Sequence, residues 1–271
     1  MKKNGAFLFG LLFIGFWNFQ AQALEIFLGN KNIAPILYEE EGQPKGIVAD
    51  IFNEVKKRIK TPIKLEVSDW AEAQARARIG EVAGLVQLNE TQERKAFLNF
   101  TGALIVSDFS IFRNSLNRKI NSVADLKGKT VGVEAAGYPI TIVGKLEGIE
   151  PVIIESWQDG FQRILNGQLD AIIVDRWVGE YVLAKYKITD ITVVEKTVEE
   201  TLSLIGVRKE KAQLLEEITV ALNNMRDDGT MDAILKNWRD KHVVYVYADD
   251  YERIEIIKLL SLLLVFIVAV L

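Results

Sequence analysis

The stretch Val123-Ala124-Asp125-Leu126-Lys127-Gly128-Lys129-Thr130-Val131-Gly132-Val133 reads as a turn that delivers the chain into a buried strand over 130–133. The alternation then continues: a helix over 138–147, a strand over 152–155, a helix over 159–165 ended by Asn166-Gly167, a strand over 169–174, a helix over 176–184 and extended chain over 191–194. An earlier series of the same kind precedes it. Residues 24–28 read as a strand ended by Gly29-Asn30, and residues 47–59 carry Ile47, Val48, Ile51, Phe52, Val55 and Ile59 at the spacing of a helix with one buried stripe. Thr61-Pro62 stops that helix, and 63–67 alternates as a second strand. Asp69 is placed to cap an alanine-rich helix over 70–79, and 82–88 is a further buried strand. Strand and helix in alternation imply mostly parallel sheets with helices on both faces. Two such series predict two lobes. Residues 201–207 return the chain to the first lobe, and helices over 211–226 and 230–239 complete it. The crossings fall near 108–113 and 201–206, where a few residues would absorb a hinge motion. The expected organisation is lobe 1 at 24–107 and 206–245 and lobe 2 at 108–205, with a ligand held between them, outside the carboxyl ends of the strands.

Composition narrows the function. The 271 residues are 49% hydrophobic and have a net charge of -4, too acidic a balance to favour nucleic acid. Cysteine is absent, which excludes disulfides, a thiol nucleophile and a cysteine zinc site. The single histidine, His242, supports no catalytic or metal cluster, and the carboxylates show no spacing that specifies a catalytic pair. No enzyme and no cofactor are expected.

The two ends suggest export. Lys2-Lys3, an apolar run over 6–17 and the small residues Ala21 and Ala23 match a signal peptide at 1–23, whose removal would take the net charge to -6. An uncleaved N-terminal anchor is the alternative. Residues 254–271 are apolar enough to read as a C-terminal transmembrane segment, with Tyr245, Tyr247 and Tyr251 before it, or else as a buried hairpin helix. The first reading predicts a periplasmic domain tethered to the bacterial inner membrane.

Several short motifs in fixed order carry a resemblance. They are Ala34-Pro35 with Gly42-Gln43-Pro44-Lys45-Gly46-Ile47-Val48-Ala49-Asp50-Ile51, then Asn89-Glu90-Thr91-Gln92-Glu93-Arg94 with Phe97, Phe100 and Thr101. The 125–133 stretch follows, then Leu165-Asn166-Gly167-Gln168-Leu169-Asp170-Ala171 with Asp175, and lastly Met225-Arg226-Asp227-Asp228-Gly229-Thr230 with Ile234, Lys236 and Trp238. Over 24–239 the chain resembles the bacterial extracellular solute-binding proteins of family 3, the polar amino-acid-binding type found in ABC importers and in sensor domains of membrane histidine kinases. The resemblance implies a type II periplasmic-binding-protein fold and a small, carboxylate-bearing solute, with an ABC permease or a sensor kinase as partner. Sensing is favoured if the C-terminus is an anchor. Capture for import and a degenerate module that binds a protein are the alternatives.

It also implies a site. Arg94 stands where the family's arginine clamps an α-carboxylate, and its guanidinium fork suits that role; pairing with Glu90 or Glu93 on a helix surface is the plainer reading. Asp175 stands where the family's aspartate accepts from the ligand's ammonium group; a cap on the following helix is the equal alternative. Gln87 and Asn89, the loop Ala135-Ala136-Gly137 with Tyr138, and the aromatic residues Trp70 and Trp157 complete the expected wall, each with an ordinary structural role as the alternative. The pattern departs from the family in three places. Gly80-Glu81-Val82-Ala83 lacks the usual aspartate, Gly102-Ala103-Leu104 replaces a Pro-Tyr pair, and Ile33 stands near the position of an aromatic residue.

Overall fold

The computed structural model describes residues 23–239 and 258–260. The first series comprises β1 (Glu25–Asn30), β2 (Asn32–Ile33), β3 (Leu37–Glu40), β4 (Gln43–Lys45), α1 (Ile47–Arg58), β5 (Ile63–Ser68), α2 (Trp70–Arg78), β6 (Gly84–Leu88), α3 (Gln92–Lys95) and β7 (Leu98–Phe100). The long strand β8 (Ile105–Asn114) leads to β9 (Thr130–Glu134), α4 (Tyr138–Val143), β10 (Glu150–Ile154), α5 (Trp157–Leu165), β11 (Ala171–Asp175), α6 (Arg176–Lys185) and β12 (Ile191–Val193). A second long strand, β13 (Glu199–Arg208), returns to α7 (Ala212–Asp227), and residues 230–239 are helical.

The strands lie in the order β10-β9-β11-β8-β13-β6-β1-β5, with β12 against β8 and β7 against β13. β1 pairs in parallel with β5 and β6, and β9 pairs in parallel with β10 and β11. β8 and β13 are antiparallel partners, Ile105 opposite Ser203 and Phe109 opposite Glu199, and they join the two parallel groups. β2, β3 and β4 form a separate small antiparallel sheet.

Neighbouring residues on a strand serve opposite faces, because side chains alternate along it. Phe27 packs with Phe52 of α1, while Leu28 packs with Trp70 and Ala73 of α2. Farther along the sheet, Ile172 packs with Phe112 and Phe161, and Ile173 packs with Ile111 and Ile142. Helices therefore cover both faces, which gives an α/β fold of the periplasmic-binding-protein kind.

Some expectations need correction. Asp69 precedes α2 but makes no capping bond; its carboxylate accepts from Lys31 Nζ at 3.0 Å. α4 stops at Val143, short of the expected 147, as Gly144 closes the turn. α5 begins two residues before the expected start, because the Ser156 hydroxyl accepts from the Asp159 N–H at 3.1 Å. The signal peptide expectation and most of 240–271, including His242, fall outside the described residues. The expected membrane tether, and with it the inner-membrane location, is not upheld: no helix among the described residues is long and apolar enough to cross a membrane, and of 254–271 only Lys258, Leu259 and Leu260 are described.

Candidate functional site

The carboxyl ends of four strands converge. β1 ends at Asn30, β6 leads into Asn89, β9 ends at Glu134 and β11 ends at Asp175; all four residues line one cavity of about 50 Å³. Arg94, Gln87, Gly137, Tyr138 and Trp70 line the same cavity, whereas Ala135 and Ala136 of the expected wall do not. Ile33, Ile36, Phe109 and Trp157 supply apolar wall.

Arg94 is held by the short helix α3, whose first turn is fixed by Thr91 accepting from the Arg94 N–H at 3.2 Å. Only 4% of Arg94 is exposed, too little for a surface helix residue. Its Nε donates to Gln74 Oε1 at 3.0 Å, Nη1 to the Asn89 carbonyl at 2.7 Å and Nη2 to the Ala136 carbonyl at 3.3 Å. The carboxylates proposed as its plain partners are engaged elsewhere, Glu90 with Lys95 and Glu93 with Arg78. The Trp70 ring lies 5.3 Å from the guanidinium carbon, a cation–π contact, while Trp70 also packs in the core beneath α2. Burial pulls the guanidinium down to about 10, so it stays charged at neutral pH.

Asp175 combines both roles considered for it. Oδ1 accepts from the Trp177 N–H at 3.0 Å and caps α6. Oδ2 is buried with no hydrogen-bond partner. Burial pushes the carboxyl up to about 7, and the nearby Asp108 adds to the shift. A sealed acceptor of this kind is satisfied only by a proton or by a donor that enters the cavity.

The other expected residues divide. The Asn89 side chain ties the end of β6 to the Leu202 carbonyl of β13 at 3.1 Å, which leaves its backbone carbonyl for Arg94. Gln87 sits at φ 57, a left-handed conformation uncommon for a residue with a side chain. Tyr138 presents its ring, 5.3 Å from Phe109, and its hydroxyl donates to Glu199 Oε1 at 2.6 Å. Gly137 precedes α4, and a Cβ there would lie 3.1 Å from Glu134 Oε2.

Asn30 and Glu134 were not anticipated. Asn30 Nδ2 donates to Glu134 Oε1 at 2.8 Å, from the end of one parallel strand to the end of another. Burial pushes the Glu134 carboxyl up to about 7, against the lowering effects of Asn30 and Arg94. The available signal was their position at strand carboxyl ends, where ligands of such folds lie.

Residues 26–241 match the model of the bacterial extracellular solute-binding proteins, family 3. The chain belongs to this family. Among relatives of this family 3 protein, the L-cystine-binding protein TcyJ of Escherichia coli (strain K12) is 24% identical over 204 residues, covering 73% of this chain and 76% of its own. The arginine-binding extracellular protein ArtP of Bacillus subtilis (strain 168) is 24% identical over 209 residues, covering 75% and 81%. A histidine kinase sensor domain with similarity to periplasmic binding proteins superposes with a TM-score of 0.75 at 19% identity, covering 80% of this chain and 96% of that one. An ancestral arginine-binding protein bound to arginine gives 0.71 at 25% identity, covering 79% and 97%. The family is one of solute-binding proteins. Among the described residues no group of three or more His, Cys, Asp and Glu could hold a metal ion.

Proposed function

We propose that this protein captures a small amino acid or closely related carboxylate by closing two lobes over it. The observation that carries this reading is the pairing, in one cavity, of the buried guanidinium of Arg94 with the partnerless Oδ2 of Asp175. Three of the five guanidinium N–H groups are engaged, which leaves two for a solute carboxylate. Asp175 Oδ2 accepts from the solute's ammonium group. Arg94 belongs to the lobe at 24–107 and 206–245 and Asp175 to the lobe at 108–205, so the solute bridges them and favours the closed arrangement by touching both. The paired strands β8 and β13 form the connection about which a type II fold would pivot.

Capture for amino-acid import is the role the relatives favour. They include an amino-acid ABC transporter-binding protein of Vibrio harveyi, named as putative, and binding proteins for cystine and arginine. The expectation of sensing rested on a membrane tether that the described residues do not supply. The reading includes export under the leader at 1–23.

Thermal unfolding against a panel of amino acids and small carboxylates, followed by calorimetric titration, tests it. A saturable rise in melting temperature with one-to-one binding is expected, abolished by Arg94→Ala and weakened at least about tenfold by Asp175→Asn. A folded protein that no member of the panel stabilises, or binding that both substitutions leave intact, refutes it.

A further inference from the structure

Two carboxylates, Glu134 and Asp175, line the cavity with a single cation, Arg94. An amino acid zwitterion placed as proposed above satisfies Arg94 with its carboxylate and Asp175 with its ammonium group, and these charges cancel. Glu134 then remains without a counter-charge of its own, because Arg94, the cation that acts on it, is shared with the solute. Its hydrogen-bond partner Asn30 is a neutral amide. An enclosed carboxylate in that position is costly unless a proton or a cation joins it.

The walls show where a cation would enter. Glu134 and Trp157 line both this cavity and an adjoining cleft of about 230 Å³. A side chain leaving the cavity at that wall passes Glu134. The cleft's own cations are placed otherwise: Lys31 pairs with Asp69 at 3.0 Å, and Lys185 lies 5.8 and 5.6 Å from the ring centres of Tyr181 and Tyr186. Its acids, Glu39 and Glu155, add negative charge to the same side. The remaining titratable neighbour, Tyr138, donates its hydroxyl to Glu199.

We propose that Glu134 is the specificity-determining carboxylate of this site and that the solute is an amino acid whose side chain ends in a cation. This rests on Arg94 and Asp175 taking the amino-acid head. A neutral amino acid would have to bring a proton to Glu134, whereas a basic one supplies the charge itself.

The test is calorimetric titration of the whole chain at about pH 8 with lysine, ornithine, arginine, alanine and glutamine, in two buffers of different ionisation enthalpy, for wild type, Glu134→Gln, Glu134→Asp and Arg94→Ala. Wild type is expected to bind a basic amino acid at least about tenfold more tightly than alanine or glutamine and without proton uptake. Glu134→Gln erases that preference. Should Glu134→Gln fail to fold, Glu134→Asp, which keeps the charge, is expected to retain a reduced preference. Wild type that prefers neutral amino acids, or a preference that survives Glu134→Gln or is absent from a folded Glu134→Asp, overturns this assignment; Arg94→Ala then still abolishes binding, so the amino-acid reading stands. Wild type that binds none of the five overturns both.

Discussion

Gln74 links Arg94 to the end of the loop at Ala136: its Oε1 accepts from Arg94 Nε at 3.0 Å, and its Nε2 donates to the Ala136 carbonyl at 3.0 Å. One side-chain amide thus fixes the plane of the guanidinium and touches the loop that precedes α4. Gln74→Leu keeps similar bulk but deprives a buried N–H of its acceptor, at a cost of about 1–3 kcal/mol. We expect solute affinity to fall roughly tenfold while the protein still folds. Gln74→Glu is expected to weaken binding further, because the new carboxylate competes with that of the solute for Arg94. Titration of both variants checks this, and unchanged affinity in both would show that Arg94 needs no support from Gln74.

The pH dependence of stability has a definite sign. Asp175 and Glu134, both pushed up to about 7 by burial, keep protons in the folded protein that the unfolded chain has released. Between about pH 4 and 7 the folded state therefore binds more protons, so stability falls as pH rises through that window and levels off above it. Asp228, held down to about 2 by Thr230 and Arg58, acts in the opposite sense but below the window. The solute-free protein is expected to melt at a lower temperature at pH 8 than at pH 5. Asp175→Asn should make the decline shallower, since the amide keeps an oxygen for the Trp177 N–H and has no proton to lose. A flat profile in wild type would contradict the enclosure of both carboxyls.

Gly84 lies where β6 and β13 approach too closely for a side chain. A Cβ there would sit 2.1 Å from the Gly206 carbonyl oxygen and 2.7 Å from the Phe27 ring. The first neighbour is backbone and the second is wholly buried, so neither yields easily. Gly84→Ala is expected to destabilise the protein by roughly 1–3 kcal/mol, read as a lower urea midpoint. A midpoint equal to that of wild type would mean that the two strands separate without strain.

The sequence was most informative where burial repeats with a period. The stripe of Ile47, Ile51, Phe52 and Val55 located α1 to within one residue of its end, and the buried run before Asp175 located β11. The two- to four-residue strands β2, β3 and β4 are too short to show any period, and they went unread. β8 was anticipated only as a crossing; in it Ser107 and Ser110 are buried among apolar residues, so the pattern looks irregular. The site divided along similar lines. Arg94 and Asp175 came from motif position, and local charge alone would have paired Arg94 with Glu90 or Glu93. Asn30 and Glu134 each look like an ordinary polar residue ending a strand. Their significance depends on a contact spanning 104 positions of chain, which no local pattern reveals.

Strand β13 lies between β6 and β8, where Val207 sits opposite Gly84 and Ser203 opposite Ile105. During synthesis the first hundred residues emerge with β1, β5 and β6 ready to pair, yet β6 keeps an unpaired edge until the ribosome has delivered residues 204–207. An unpaired strand edge invites association with other chains. The nascent chain therefore carries this exposed edge throughout translation of its middle third, the interval in which a chaperone or a rapid rate of elongation would do most to protect it.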